Sequence, residues 1–284
     1  MKSGFIYMPE DERDYPVCMA YDDAEDIEIP ESFKTSFQPP YESQISSNCV
    51  AQTLANIMEV MWYNQFGEHD DFSVGFIYGN RKDGQSKSKG MTGYTACNNL
   101  CEDGDVKRSA FENPYEVPSL IKVVQEFKRN NPNWKDEAYV PKSYIRTKTM
   151  EEVKKFILKY NIPVMAIVRA REFSSLVGYH AMALYGWNGD IAIMQNSWGE
   201  DNPYKIVELD FDKIKEFWMI VPYSVMNFAD IDEAHWAFKH FAKCVEKEIM
   251  LGYPDGSFKP EKQMTRAEIA AIIYRMLKGV KDDE

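Results

Sequence analysis

The sequence predicts an α+β fold followed by a separate, small all-α module. Apolar residues recur with helical spacing in the first half of the chain, and short apolar runs typical of strands follow in the second half. After residue 225 the pattern returns to two helical segments around one turn-rich loop. We therefore expect a Pro- and acid-rich lead-in over residues 1–30, a large domain over residues 31–225 and a C-terminal module over residues 226–284.

The first helix of the large domain is expected to begin at Cys49 and to run for roughly three turns. Its apolar face comprises Val50, Leu54, Ile57, Met58 and Met61. Similar spacing predicts three more helices, over Tyr94–Cys101, Pro118–Phe127 and Met150–Tyr160.

Strands are predicted in the second half of the large domain. Ile162–Ala170 is an apolar run typical of a buried strand. His180–Asn188 and Ile191–Gly199 are two more apolar runs, and Asn188, Gly189 and Asp190 form the turn between them. An Asn-Gly pair between two apolar runs favours a β-hairpin.

The composition limits the classes of partner. The formal net charge of −12 at pH 7, without a basic stripe, argues against nucleic acid. No apolar run is long enough to span a bilayer, and the first residues lack the apolar core of a secretory signal peptide. We expect no metal and no cofactor. Cys97 and Cys101 would share a helix face, and burial is favoured over a metal or disulfide role.

Cys49 is a candidate nucleophile because it stands at the start of a predicted helix. The unpaired N–H groups and the dipole at a helix N-terminus favour the thiolate form. A thiolate also needs an imidazole within reach and a group that orients the imidazole. Of the four histidines, His69 lies in an acidic loop and is expected to be solvated, whereas His235 and His240 belong to the C-terminal module.

His180 is therefore the candidate partner, although a lone histidine at a strand edge is often structural. Asn196 follows it by 16 residues across the predicted hairpin, so its side-chain amide could accept a hydrogen bond from His180 and fix the tautomer. Trp198 follows two residues later and could shield that hydrogen bond from water.

Three blocks carry a family resemblance: "SQISSNCVAQ", "HAMALYGW" and "MQNSWG", with His180 131 residues after Cys49. Over roughly residues 5–223 the chain resembles the papain-like cysteine peptidases. That resemblance implies a two-lobed fold, with a helical lobe, a β-barrel-like lobe and a cleft between them. It implies Cys49 as nucleophile, His180 as general acid and base, and Asn196 as its orienting residue. It further implies Trp198 as a shield and Gln44, with the Cys49 backbone N–H, as the oxyanion hole.

The C-terminal module contains the blocks "FADIDEAHWAFKHF", "GYPDGSFKP" and "TRAE". In "TRAE", Thr265 and Glu268 are spaced as a capping box. The apolar residues of the following helix are expected to form a buried stripe: Ile269, Ile272, Ile273, Met276 and Leu277.

Together these blocks resemble a single S-layer homology domain over residues 228–278. Members of that family bind acidic cell-wall polysaccharide, which implies a glycan site of Arg266, Asp255, Gly256 and Trp236. A guanidinium such as that of Arg266 suits a carboxylate because it binds two oxygens at once. The alternative is that Arg266 is solvated and that the module serves packing or homo-oligomerisation.

The sequence thus predicts a cysteine endopeptidase that acts on a protein or peptide substrate. The C-terminal module would attach it to secondary cell-wall polysaccharide of the bacterial envelope, or would join copies of the chain. The enzyme would be associated with the envelope or released on lysis, as a phage-encoded protein is. The alternative function is a catalytically silent scaffold that serves in cell-wall binding or assembly.

Overall fold

The structure is a computed structural model that describes residues 5–7, 27–44, 46–81, 90–112, 119–222, 237, 240–241, 244–245, 249–250 and 258–281. The chain divides into two compact units, Met1–Pro222 and Tyr223–Glu284. In the described part of the chain, no helix is both long enough and apolar enough to cross a membrane.

Six α-helices are described in the first unit. They are α1 (Cys49–Phe66), α2 (Val74–Gly79), α3 (Gly93–Asp103), α4 (Ser119–Asn130), α5 (Trp134–Glu137) and α6 (Met150–Tyr160). The four predicted helices are confirmed as α1, α3, α4 and α6. The length predicted for the first helix is wrong, since α1 continues to Phe66 and ends where Gly67 adopts a φ of 68°. The sequence analysis did not predict α2 and α5, which are only six and four residues long.

Seven antiparallel strands form one sheet. They are β1 (Ser32–Lys34), β2 (Ser143–Thr147), β3 (Val164–Arg169), β4 (Tyr179–Asn188), β5 (Ile191–Gln195), β6 (Ile206–Asp210) and β7 (Ile214–Val221). The strand order is β2-β7-β3-β4-β5-β6, and β1 pairs with β4 outside this path. The predicted strands correspond to β3, β4 and β5.

The predicted hairpin is confirmed as β4 and β5, which are joined by Gly189 and Asp190. Gly189 has a φ of 57°, which glycine adopts at little cost. The second strand of the hairpin is shorter than predicted, because β5 ends at Gln195 rather than at Gly199. Beyond Gln195 the chain turns away from β4, and the Gly199 N–H donates to the carbonyl oxygen of Glu42 at 3.1 Å.

A close backbone approach joins β1 to β4. A Cβ atom at Gly186 in β4 would lie 2.1 Å from the carbonyl oxygen of Phe33, so only glycine fits there without a shift of the backbone. The sheet register also shifts between Leu184 and Gly186, where β4 pairs with β5.

The core of the first unit forms where α1 packs against β3 and β4. The predicted apolar face of α1 is confirmed: Val50, Leu54, Ile57 and Met58 are completely buried, and Met61 is nearly so. Burial of each such side chain contributes about 1.5–3 kcal/mol. This packing places the start of α1, with Cys49, against the strand that carries His180.

In the second unit, the last helix is α7 (Arg266–Lys281). Its predicted capping box is confirmed, because the Thr265 N–H donates to Glu268 Oε2 (2.7 Å) and the Glu268 N–H donates to Thr265 Oγ1 (3.2 Å). These two bonds pair N–H groups that a helix start otherwise leaves unpaired.

The prediction that the apolar stripe of α7 is buried is wrong for three of its residues. Ile269, Ile273 and Met276 are 44%, 51% and 51% exposed. Ile272 instead lines a cavity together with Phe241, Met250 and Phe258. The apolar residues of α7 extend around more of the helix than the described part of this unit covers, so half of the stripe faces outward.

Candidate active site

Cys49 is the first residue of α1 and is completely buried. The first turn of α1 carries no acidic side chain that would oppose a thiolate. The helix start is fixed from within, because Thr53 Oγ1 donates to the Cys49 carbonyl oxygen at 2.9 Å. This environment favours the thiolate through the helix dipole and disfavours it through burial, so a charged partner is needed to hold the proton.

His180 is the second residue of β4 and pairs with Val168 of β3. The ring is completely buried, and its Nε2 lies 2.8 Å from Asn196 Oδ1. Burial lowers the pKa of His180 to about 4, although the hydrogen bond to Asn196 opposes that shift. At neutral pH the imidazole is therefore uncharged. Because Asn196 Oδ1 can only accept, Nε2 carries the proton and Nδ1 is the basic atom.

The Nδ1 atom of His180 is buried and has no hydrogen-bond partner among the described residues. A buried polar atom without a partner is costly, and such atoms are often found where a reaction uses them. Nδ1 is thus available to accept a proton from a nucleophile.

Asn196 follows the last residue of β5 and is held by hydrogen bonds on both sides of its amide. Oδ1 accepts from His180 Nε2 and from the Ser197 N–H, each at 2.8 Å. Nδ2 donates to the Tyr204 carbonyl oxygen at 3.0 Å. The amide therefore cannot rotate without breaking three bonds, which keeps its oxygen on His180.

Aromatic rings enclose the bond between His180 and Asn196. The Trp198 ring is buried, and its centroid lies 5.1 Å from that of His180. Phe173 lies 5.3 Å from Trp198 and 6.0 Å from His180. Exclusion of water strengthens the hydrogen bond inside. The sequence analysis did not identify Phe173, because it lies in a loop and belongs to no recognisable motif.

Gln44 lies beside the Asn-Ser-Trp-Gly block. Its backbone N–H donates to the Ser197 carbonyl oxygen (2.7 Å), and its Oε1 accepts from Ser197 Oγ (2.8 Å). Its Nε2 donates to the Ser46 carbonyl oxygen at 2.9 Å. Ser43 and Trp198 also form a β-bridge, so the segment before Cys49 is attached to the segment that follows Asn196.

A small polar cavity of about 20 Å³ lies between α1 and this block. Its lining includes Gln52 and Thr53, one turn beyond Cys49, as well as Asn196 and Ser197. The volume is sufficient for one water molecule. The shared cavity shows that the first turns of α1 face the residues that hold His180.

The prediction that His69 is a solvated surface residue is wrong. Its side chain is 31% exposed, and its Nε2 lies 3.2 Å from the buried Glu59 Oε2 and 3.5 Å from Asp71 Oδ1. Burial, together with the charges of Glu42 and Asp71, raises the pKa of Glu59 to about 9. Among the described residues, Glu59, His69 and Asp71 form the group whose ligand atoms could share a cation, since they lie within 4.8 Å of one another.

The other candidate residues lie apart from these. Cys97 is completely buried, and burial raises the pKa of the Cys101 thiol to about 12, so that thiol is unreactive at neutral pH. Arg266 is the exposed first residue of α7. Trp236, Asp255 and Gly256, which were predicted to bind glycan with it, lie outside the described residues.

Comparison with known sequences identifies the C-terminal module. A family model described as the S-layer homology domain matches residues 227–270. Over 54 residues, 19% of this chain, the sequence is 41% identical to a cellulosome-anchoring protein of Acetivibrio thermocellus. Over 61 residues, 22% of this chain, it is 33% identical to outer membrane protein SlpA of Thermus thermophilus. The chain spans 12% and 7% of the lengths of these two relatives.

Comparison with solved structures identifies the fold of the larger unit. Xylellain, a cysteine protease from Xylella fastidiosa, matches with a TM-score of 0.60 and 17% identity over 78% of this chain and 96% of that chain. Procathepsin B S9 from Trypanosoma congolense matches with a TM-score of 0.57 and 14% identity over 78% and 86%. Most of the chain thus has the papain-like cysteine protease fold, which confirms the predicted fold class, and an S-layer homology domain follows it.

Proposed function

We propose that this chain is a cysteine endopeptidase attached to bacterial cell-envelope glycan. The observation that carries the proposal is the buried His180, whose Nε2 is held by Asn196 and whose Nδ1 has no partner among the described residues. In the papain-like fold, with Cys49 at the start of the helix that packs on the same strand, this is the arrangement of a nucleophile and its base.

The reaction begins when the Cys49 thiol transfers its proton to His180 Nδ1. The thiolate attacks the scissile carbonyl carbon, and the oxyanion accepts hydrogen bonds from the Cys49 N–H and the Gln44 amide. His180 then gives its proton to the leaving amine as the C–N bond breaks. A water molecule, deprotonated by His180, attacks the acyl-enzyme, and release of the acid restores the Cys49 thiol.

Asn196 supports both charge states of His180 in this sequence. Its oxygen accepts from Nε2 whether the ring is neutral or protonated. Because burial alone holds the pKa of His180 at about 4, the imidazolium needs the adjacent thiolate as counter-ion. The charged pair is then the reactive form.

Replacement of Cys49 tests the proposal, with Cys101→Ala as the matched control. We expect Cys49→Ala to abolish cleavage of a fluorogenic peptide and labelling by an irreversible epoxide at mildly acidic pH, with no loss of folding by circular dichroism. Cys101→Ala should keep both activities, since the Cys101 thiol stays protonated. Cleavage by purified Cys49→Ala would exclude the mechanism.

The second candidate function is a catalytically silent scaffold, and one observation favours it. Gln44 stands five residues before Cys49, and its Nε2 donates to the Ser46 carbonyl oxygen instead of facing an open oxyanion site. The epoxide distinguishes the two functions. Stoichiometric labelling of Cys49 supports the enzyme, and absence of labelling in the folded protein supports the scaffold.

We further propose that the S-layer homology domain binds acidic cell-wall polysaccharide through Arg266. The match to the family over residues 227–270 supports this role, and Arg266 is exposed. We expect the full chain to co-sediment with purified Gram-positive cell walls and Arg266→Ala to lose most of this binding. Arg129→Ala, which removes an exposed guanidinium from α4, should bind as the wild type does. Equal binding by both variants would remove Arg266 from the site.

Self-association through α7 is the remaining part of the proposal. The exposed Ile269, Ile273 and Met276 form an apolar surface that a second copy of the module could cover. Analytical ultracentrifugation should show species heavier than the 33.0 kDa monomer, and Ile273→Lys should shift them to monomer. Glu261→Lys, at an exposed position outside α7, is the control. A wild-type protein that stays monomeric at high concentration would contradict self-association.

A further inference from the structure

The segment Phe5–Tyr7 is bound between two parts of the first unit. Phe5 forms a parallel β-bridge to Met91 and an antiparallel one to Tyr179. The Phe5 N–H donates to the Tyr179 carbonyl oxygen at 3.4 Å, and the Ile6 N–H donates to the Met91 carbonyl oxygen at 2.8 Å. The segment is thus held as an extended peptide with a backbone partner on each side.

Side chains strengthen this attachment. Phe5 is only 7% exposed and packs in the hydrophobic core of the unit. Its ring meets the edge of Tyr179 at 6.4 Å between centroids, and Tyr7 stacks on Tyr179 at 5.6 Å. The ammonium of Lys215 lies 5.4 Å from the Tyr7 ring centroid, which adds a cation–π contact.

The two backbone partners lie on different sides of the candidate site. Tyr179 directly precedes His180 in β4, whereas Met91 lies two residues before α3 in the helical part of the unit. An extended peptide that spans from one to the other passes next to His180. Pairing of an extended backbone with a strand edge is also how many proteins bind peptides, with side-chain pockets adding specificity.

We propose that Phe5–Tyr7 occupies the binding position of the peptide substrate and holds the enzyme in a low-activity state. This inference rests on the proposed function, because it names a regulation of the same site. The segment is a competitor within the chain, so substrate binds only to the fraction of molecules in which the segment is displaced. The apparent affinity for substrate falls by that fraction, while the rate of the bound complex is unchanged.

The chemistry of the segment also indicates what displaces it. Phe5 fills a buried apolar position beside Met91 and Tyr179, so the substrate that competes best carries an aromatic residue there. Hydrophobic burial and the stacking on Tyr179 are then retained when the segment leaves.

The double variant Phe5→Ala/Tyr7→Ala of the full chain tests the inference. We expect KM for a fluorogenic peptide to fall by about tenfold with kcat unchanged, which corresponds to a wild-type enzyme open in roughly one molecule in ten. The rate of epoxide labelling of Cys49 should rise by a similar factor. Phe5→Leu, which keeps an apolar side chain at the buried position, should behave more like the wild type.

Phe33→Ala is the matched control. Phe33 lies in β1 and contacts Trp187 at 5.4 Å, toward the end of β4 that lies away from His180. It removes an aromatic contact to the same strand, and we expect no fall in KM. A fall equal to that of the double variant would mean that loosening of the sheet, and not release of the segment, opens the site.

A synthetic peptide with the sequence SGFIYMP of residues 3–9 supplies an independent measurement. It should inhibit the double variant competitively and inhibit the wild type less, since the position is already filled there. Equal KM values, equal labelling rates and no inhibition by the peptide would overturn the inference while Cys49 is still labelled. Absence of labelling and cleavage in every variant would instead overturn the proposed function, and the inference with it.

Discussion

Replacing Asn196 with alanine removes the group that orients His180. The variant loses the acceptor of the His180 Nε2–H and of the Ser197 N–H, and the donor to the Tyr204 carbonyl oxygen. Tyr204 is 42% exposed, so water can satisfy its carbonyl oxygen. The imidazole N–H is completely buried, and water cannot reach it without displacing Trp198.

The magnitude follows from that burial. A buried donor left without an acceptor costs about 1–3 kcal/mol. If the ring turns to find another acceptor, Nδ1 no longer faces the nucleophile and the same free energy is lost from the transition state. Since 1.4 kcal/mol is a factor of ten, we expect kcat/KM to fall by about 10- to 100-fold. The free energy of unfolding should fall by about 2 kcal/mol.

The measurement is kcat/KM on a fluorogenic peptide, combined with urea unfolding and the ¹⁵N chemical shifts of His180. The wild type should show the neutral tautomer protonated at Nε2, and the variant a mixture of tautomers. Asn202→Ala is the control, because Asn202 Oδ1 accepts only the exposed Tyr204 N–H at 2.9 Å among the side-chain bonds described. A folded Asn196→Ala enzyme whose kcat/KM stays within twofold of wild type would refute the orienting role.

Three further substitutions test the energetics of the fold. Glu59 is protonated in the folded state up to a pKa of about 9 and ionises above 4.5 in the unfolded chain. The free energy of unfolding should therefore fall by about 1.4 kcal/mol per pH unit between those values. Urea titrations of Glu59→Gln should lack this slope. Gly186→Ala would place a Cβ atom 2.1 Å from the Phe33 carbonyl oxygen and separate β1 from β4, so calorimetry should show a loss of about 1–3 kcal/mol. Thr265→Ala removes the side-chain cap of α7 and should cost about 1 kcal/mol of helix stability, measured by thermal circular dichroism.

Each of these predictions has a result that contradicts it. Parallel stability curves for wild type and Glu59→Gln would mean that the Glu59 carboxyl ionises in the folded state. An unchanged melting temperature for Gly186→Ala would mean that β1 moves aside at no cost. Thr149→Ala is the control for the cap, because Thr149 precedes α6 without a side-chain capping bond. Equal losses at Thr149 and Thr265 would exclude the capping bond as the cause.

The local features of the chain were predictable from short stretches of sequence. The apolar face of α1, the hairpin turn at Gly189 and the capping box of Thr265 each depend on residues within a few positions of one another. Helical periodicity, turn geometry and capping act over such short distances. These predictions are confirmed, whereas the catalytic roles of the residues in the motif blocks stay predictions.

Contacts between distant parts of the chain were not predictable in this way. Phe173 encloses His180 from a loop that has no motif, and His69 lies against a buried carboxyl instead of in solvent. The outward side of α7 has the same apolar period as a buried helix, so the sequence alone predicted burial.

The sequence by itself determined which residue types the candidate site contains and which local elements carry them. Only the tertiary structure decided that Asn196 holds Nε2 of His180, that Nδ1 is left without a partner among the described residues, and that Phe5 lies beside Tyr179. The reason is that local conformation depends on neighbouring residues, whereas side-chain environment depends on segments that meet only after the sheet and helices have packed.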